Sequence, residues 1–276
     1  MLCVILFWTF YFKVHKIKSI TENTYAAELT KKGYAKLKKQ SPYKLLITKS
    51  VFDTDGNLIK KSYYNSDKKR VKTEAYTYND GKILNSSENK IIKTYEYDSL
   101  GNLILIKDHN GIVAEKMEYS IEGLLILKTE VSSSEKIVSQ TKYLYNEKNQ
   151  IIKELTEYQG GVDWNLYKYN ELGKLTSNSW IDQREGLLEK TTYSYKNDSL
   201  YIEEWDNYLD GKVEGKIIYI YENNLEKEII ETELADNSEI RWTYQYYYDS
   251  KDNWIKKIET FNENEVTITE RLIDYY

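Results

Sequence analysis

A Tyr-x-Tyr doublet returns along most of this chain at intervals of roughly 25 residues. It reads Tyr76-Thr77-Tyr78, Tyr95-Glu96-Tyr97, Tyr143-Leu144-Tyr145, Tyr167-Lys168-Tyr169, Tyr193-Ser194-Tyr195, Tyr219-Ile220-Tyr221 and Tyr246-Tyr247-Tyr248. Degenerate copies stand at Val51-Phe52, Met117-Glu118-Tyr119 and Ile273-Asp274-Tyr275. A period of this size marks an array of one small supersecondary unit, in which length sets the number of units rather than the number of domains.

The unit itself reads as a β-hairpin. In Lys93-Thr94-Tyr95-Glu96-Tyr97-Asp98 the two tyrosines share one face of a strand, while Thr94 and Glu96 take the other. Ser99-Leu100-Gly101-Asn102 supplies a turn, Leu103-Ile104-Leu105-Ile106 the returning strand, and His109-Asn110-Gly111 the next turn. Asp80-Gly81 and Asp55-Gly56 are short-hairpin signals, because such turns need positive φ. About ten such units predict an all-β protein, an extended and curved antiparallel meander of roughly 18–20 strands. The tyrosine face is expected inside, with the alternating lysines and glutamates on the solvated face.

Composition supports a thin structure. There are 28 Tyr against 5 Phe. A sealed core favours Phe, since each buried phenol needs a hydrogen-bond partner, whereas Tyr suits a layer whose hydroxyls reach the rim. The net charge is -5 with both signs interspersed, which argues against a nucleic-acid surface. The longest basic run, Lys68-Lys69-Arg70, falls in an expected turn. The single cysteine, Cys3, excludes an intrachain disulfide.

Two segments precede the array. Residues 1–18 hold an apolar run, Leu2 to Phe12, that is shorter than the roughly 20 residues needed to span a bilayer. It is read as an export signal whose start lies upstream of Met1, with Thr24-Tyr25-Ala26 the best cleavage site; the rivals are an uncleaved membrane anchor and a strand buried against the array. Residues 19–42 are read as a short helical cap or linker. Ser19-Ile20-Thr21-Glu22 has capping-box spacing, Glu22 and Glu28 come early, Lys31, Lys32, Lys36, Lys38 and Lys39 come late, and Pro42 stops the segment. Residues 43–276 are the repeat array.

The segment Tyr95-Glu96-Tyr97-Asp98-Ser99-Leu100-Gly101-Asn102-Leu103 resembles the YD repeat of Rhs-type proteins, whose units run Tyr-x-Tyr-Asp-x-x-Gly-Asn/Arg-Leu. Tyr248-Asp249 with Asn253-Trp254, and Phe52-Asp53 with Asp55-Gly56-Asn57-Leu58, resemble it too. The resemblance covers about residues 44–276. It implies hairpins wound into a surface, export or cell-surface display, and likeness to the small stand-alone members, which carry no toxin domain and no assigned activity.

Candidate sites are few. The polar residue after the second tyrosine of each unit reads as an Asx-turn. Asp53-Thr54-Asp55-Gly56-Asn57 has the look of a calcium loop, but the EF-hand spacing is off, so it reads as a hairpin turn. Two histidines, His15 and His109, leave no zinc-ligand spacing. No cofactor, metal or catalytic residue is expected. Trp242, Tyr244, Tyr246 and Tyr248 share one face by strand parity and form a candidate ligand-binding ladder, set against the reading that these rings fill the inner face of the sheet; Trp180 and Trp205 lie on returning strands of earlier units. The expected function is that of a non-enzymatic, exported scaffold contacting another macromolecule, protein or polysaccharide, with any membrane contact through the N-terminal segment. The alternative is a carbohydrate or cell-wall binding module using exposed aromatic side chains.

Overall fold

The computed structural model describes residues 16–30, 35–37, 44–197, 200–207, 212–263 and 265–276, with some side chains near the ends of these stretches excepted. The apolar segment before Lys16 lies outside the described residues, as do Cys3, His15 and the lysine-rich stretches 31–34 and 38–43.

The described residues form 21 strands. They are β1 (Ile17–Leu29), β2 (Ala35–Leu37), β3 (Lys44–Phe52), β4 (Leu58–Tyr64), β5 (Arg70–Asn79), β6 (Lys82–Glu88) and β7 (Ile91–Tyr97). β8 (Leu103–Lys107), β9 (Val113–Tyr119), β10 (Leu125–Val131), β11 (Ile137–Tyr145), β12 (Ile151–Tyr158), β13 (Gly161–Tyr169) and β14 (Leu175–Asp182) follow. The chain continues through β15 (Gly186–Asn197), β16 (Leu200–Asn207), β17 (Lys212–Glu222), β18 (Leu225–Glu233), β19 (Ser238–Tyr248), β20 (Trp254–Phe261) and β21 (Glu265–Tyr275). The chain divides into two compact units, Met1–Ile92 with Thr243–Tyr276, and Lys93–Trp242. The antiparallel tandem hairpins follow the period of the sequence.

No helix occurs among the described residues, which corrects the helical segment expected over residues 19–42. Ser19 to Leu29 lie instead in β1, the centre of the first unit's sheet. On one side β1 pairs with β21, from Ile17↔Tyr275 to Ala27↔Val266. On the other it pairs with β3, from Ser19↔Val51 to Tyr25↔Lys44, and β2 extends that side at Ala27↔Leu37. The capping-box residues have different partners: the Ser19 hydroxyl donates to Asp274 Oδ2 at 2.7 Å, and Glu22 accepts from Thr48 Oγ1 at 2.9 Å. Two flanking strands satisfy the backbone along both edges, and they also bury Ile17, Ile20 and Ala27. Those tertiary gains override a local helix signal worth about 1 kcal/mol. Strand structure therefore begins upstream of residue 43, and Thr24-Tyr25-Ala26 lies inside a strand bonded on both sides.

Around Ala27 and Val266 the sheet of the first unit has an apolar face and a polar face, while farther along β1 buried Ile20 lies on the same face as Glu22. Ala27, Ile258, Val266 and Ile268 form a buried cluster against which Ala35 packs. Glu22, Thr24, Thr269 and Arg271, offset by one residue, point to the opposite face.

A single turn design recurs at nine connections. At Asp98 the backbone amide donates to Asn102 O at 2.9 Å and Gly101 N donates back to Asp98 O at 3.0 Å. The Asp98 carboxylate receives the amides of Leu100 (2.9 Å) and Asn102 (2.8 Å) and the Asn102 side-chain amide (2.9 Å). The same pair of backbone bonds recurs at Asp53, Asn65, Asp108, Ser120, Ser132, Asn146, Asn170 and Asp249. The fourth residue of each turn is left-handed: Gly101 has φ 90°, and Asn149 at the equivalent position has φ 58°. The Asn102 side-chain amide, followed by the turn's backbone amides, holds the Asp98 carboxyl below its ordinary range. The Asp53 carboxylate takes the same bonds, with Asp55 N at 2.9 Å and Asn57 N at 2.8 Å, so its oxygens serve the turn. Asp55-Gly56 thus belongs to a five-residue connection rather than a two-residue hairpin, whereas Asp80-Gly81 makes the tight turn, with φ of 48° and 74°.

The second tyrosine of the doublet links one hairpin to the one before it. Tyr145 Oη donates to Leu125 O at 2.7 Å, Tyr119 to Leu103 O at 2.8 Å, Tyr169 to Ile151 O at 2.8 Å and Tyr78 to Leu58 O at 2.9 Å. In each case the acceptor is the first residue after the preceding turn. The hydroxyl caps a carbonyl where the ladder is interrupted by the turn bulge, and this explains why Phe does not replace Tyr here. Tyr145→Phe is expected to cost about 1 kcal/mol, read as a fall of a few degrees in Tm.

The first tyrosines have acidic partners. Tyr167 Oη donates to Glu154 Oε2 at 3.0 Å and Tyr76 Oη to Glu74 Oε2 at 3.3 Å. Burial, reinforced by the Glu74 charge, pushes the Tyr76 phenol up to about 12, and burial with Asp249 does the same for Tyr275. Tyr25, Tyr78, Tyr119, Tyr143, Tyr145 and Tyr167 are also raised, burial being the first cause in each. The native state holds these protons more tightly than an unfolded chain, whose phenols titrate near 10. Their contribution to stability is complete below pH 10 and is lost as pH rises from 10 to about 12. Circular dichroism recorded alongside tyrosinate absorbance should therefore show unfolding in that window, coupled to a late phase of ionisation. A single ionisation step near 10, with the fold intact, would contradict it.

Candidate functional site

The ladder Trp242, Tyr244, Tyr246 and Tyr248 lies at alternate positions of strand β19. In the first unit, Tyr246 meets Trp254 edge-on with centroids 6.0 Å apart, and Lys257 Nζ lies 5.5 Å from the Tyr244 centroid. Tyr248 is about half-exposed. Tyr244 and Tyr246 thus lie beside residues of β20.

Trp254 leads to a charged cluster on the polar face of β1, β3, β20 and β21. The Arg271 guanidinium carbon lies 3.2 Å from the Trp254 ring centroid, and Arg271 Nε donates to Glu22 Oε1 at 2.8 Å. Glu22 Oε2 accepts from Thr48, Thr24 and Thr269 share a 3.0 Å hydroxyl contact, and Lys257 pairs with Glu259 at 3.2 Å. Glu22, Thr24, Thr48, Trp254, Lys257, Thr269 and Arg271 line a hollow of about 310 Å³. Burial pulls the Arg271 pKa down while Glu22 opposes the shift. The cluster ties the first and last of the described strands together, with both Glu22 oxygens engaged. Its residues are scattered over 250 positions of sequence, and only the pairing of β1 with β21 reveals it.

The second unit contains a different arrangement. Across β11 to β15 the register aligns Tyr143↔Glu154, Glu154↔Asn165, Asn165↔Trp180 and Trp180↔Glu189, one row on one face of the sheet. Two residues along, Tyr167↔Asn178 and Asn178↔Thr191 make a parallel row. The tyrosine face therefore carries acids and amides as well as rings, a feature hidden in the sequence because the residues come from separate hairpins. Lys128 adds a cation to the same face, bridging Glu115 and Glu130, each at 3.0 Å. The alternate residues Leu144 and Lys168 are exposed, while Tyr143, Tyr145, Tyr167 and Tyr169 are half-buried, as the alternation predicts.

Within this face, Asn165, Asn178, Trp180, Glu189 and Thr191 line a shallow depression of about 300 Å³. The Trp180 ring is 40% exposed. Asn178 Oδ1 is buried and has no hydrogen-bond partner, although an unpaired buried acceptor costs about 1–3 kcal/mol. The side chain of Trp205 lies outside the description. The doublets Tyr95 and Tyr97, Tyr193 and Tyr195, and Tyr219 and Tyr221 lie toward the C-terminal ends of β7, β15 and β17. His109 sits in the turn headed by Asp108. Among the described residues, no three His, Cys, Asp or Glu side chains are grouped to hold a metal ion. No helix among them is long and apolar enough to cross a membrane.

No family model matches the chain, and no curated protein sequence does. Among solved structures, a porin-like protein from Bacteroides uniformis is similar at 11% identity and a TM-score of 0.41, over 94% of this chain and 96% of that one. A porin-like protein from Bacteroides vulgatus is similar at 11% identity and a TM-score of 0.35, over 74% and 94%. A structure described as TcdB2-TccC3-TEV is similar at 12% identity and a TM-score of 0.36, over 79% of this chain and 15% of that one.

Proposed function

We propose that this protein is a non-enzymatic, exported repeat scaffold that binds another macromolecule through its tyrosine face. The observation that carries this reading is the row Tyr143, Glu154, Asn165, Trp180 and Glu189, contributed by five successive strands. Such a row offers rings, amides and carboxylates along a line, the mixture that recognition surfaces favour. The apolar segment Leu2 to Phe12 supports export, and the unit Tyr95 to Leu103 supports kinship with small YD-repeat proteins. A second reading, a carbohydrate or cell-wall binding module, is favoured by the exposed ring of Trp180.

The test is co-sedimentation of the purified chain with cell envelopes of its source, before and after protease or periodate treatment. Binding lost to protease supports a protein partner, and binding lost to periodate supports a glycan. Absence of binding to untreated envelopes would overturn the scaffold reading.

A further inference from the structure

We infer that the depression around Trp180 is a subsite for an uncharged sugar ring, built from Asn165, Asn178, Trp180, Glu189 and Thr191. The inference rests on the binding-scaffold reading and gives it a ligand class. Three observations converge. Trp180, 40% exposed, offers a flat apolar ring among the polar residues that line the hollow, suited to the C–H face of a pyranose. Asn178 lines the hollow and its Oδ1 is buried and unpaired, so a turn of this side chain toward a bound sugar gives that acceptor the hydroxyl donor it lacks. Asn165, Glu189 and Thr191 add acceptors and donors around that ring, matching a ligand whose hydroxyls do both.

The charges select among sugars. Glu189 borders the hollow, and Glu154 lies three strands from Glu189 in the same cross-strand row. Among the described residues, no Lys or Arg lines the hollow. Uronic or sialic acids would meet carboxylates with no cation to offset them, so neutral hexoses are preferred. The row from Glu154 to Glu189 crosses three inter-strand spacings, roughly 14 Å, enough for a disaccharide lying across the strands. The hollow is shallow, so one site binds weakly, and useful affinity requires a polymer that touches the sheet at more than one point.

The experiment uses the whole chain with its tryptophan indoles observed by NMR, titrated with neutral β-linked and α-linked hexose disaccharides and with glucuronic acid as the charged comparison. A saturable shift of the Trp180 indole signal is expected with at least one neutral disaccharide and none with the acid. Trp180→Ala should weaken binding at least tenfold, and Asn178→Ala about fivefold, with melting temperatures checked to show that each variant folds. Trp254→Phe, in the other unit, should bind as the parent does. If no neutral sugar shifts the signal, or if Trp180→Ala binds sugar unchanged, the subsite is refuted, and an ordered water then serves Asn178. Envelope binding retained by Trp180→Ala alongside such a refutation leaves the scaffold reading intact. Loss of envelope binding by the parent chain removes both.

Discussion

Replacing Arg271 with alanine is expected to destabilise the first unit by about 3 kcal/mol. The Arg271 side chain is only 12% exposed, bonded to Glu22 and stacked on Trp254. Its removal leaves the Glu22 carboxylate, itself 26% exposed, with Thr48 as its remaining hydrogen-bond donor among the described residues. The penalty is largely that stranded charge, so Arg271→Ala combined with Glu22→Gln should be less damaging than the sum of the two single changes. Arg271→Lys should recover only part of the loss, because an ammonium cannot reproduce both the planar stack and the directed Nε bond. The measurement is denaturant unfolding of the four variants against the parent. Equal stability of Arg271→Ala and the parent would show that the cluster does not hold the strands together.

Ile268→Ala should cost a similar amount, about 2–4 kcal/mol, for a different reason. Ile268 is 3% exposed and sits among Ala27, Ile258 and Val266, the buried apolar cluster of the first unit. Truncation removes apolar contact and leaves a cavity that two flanking strands cannot collapse into. Ile121, 95% exposed in a turn, is the control: Ile121→Ala should change stability by less than about 0.5 kcal/mol. Similar losses at the two sites would mean that the apolar face of β1, β20 and β21 is not the core of its unit.

The parts of this fold that are readable from sequence are those in which partners lie close along the chain. Tyr143-Leu144-Tyr145 and Tyr167-Lys168-Tyr169 alternate as strands do, and Asp80-Gly81 sits in a turn that needs positive φ at both residues. The polar residue before each longer turn acts within four positions of itself, so Asp98 and Asn146 are legible as Asx-turn residues. Ser19 to Leu29 fail the same approach. Their capping-box spacing and charge order suit a helix, while their actual partners, Val266 to Tyr275, lie some 245 positions away. Local signals of that strength lose to a strand position bonded on both edges. Asp55-Gly56 misleads more mildly, because Asp53 recruits the amides of Asp55 and Asn57 and so lengthens the connection.

The candidate site is illegible for a related reason. Trp180 was visible only as a tryptophan on a returning strand, and nothing in its neighbourhood in sequence points to Asn165 or Glu189. The register brings them together, and each of the bulges at Lys168/Tyr169 and Trp180/Ile181 alters it by a residue. The ladder from Trp242 to Tyr248 was more conspicuous in sequence. Two of its rings lie near Trp254 and Lys257.

The clasp between the chain's first and last strands is most directly tested by a cross-link at Thr24 and Thr269, whose hydroxyls lie 3.0 Å apart across β1 and β21. In a Cys3→Ser background, Thr24→Cys with Thr269→Cys should oxidise readily to an intramolecular disulfide, seen as a faster-migrating band that reverts on reduction, while Thr24→Cys with Thr267→Cys, two residues out of register, should stay largely reduced. Equal cross-linking of both pairs, or of neither, would contradict the strand pairing on which the fold and its polar cluster depend.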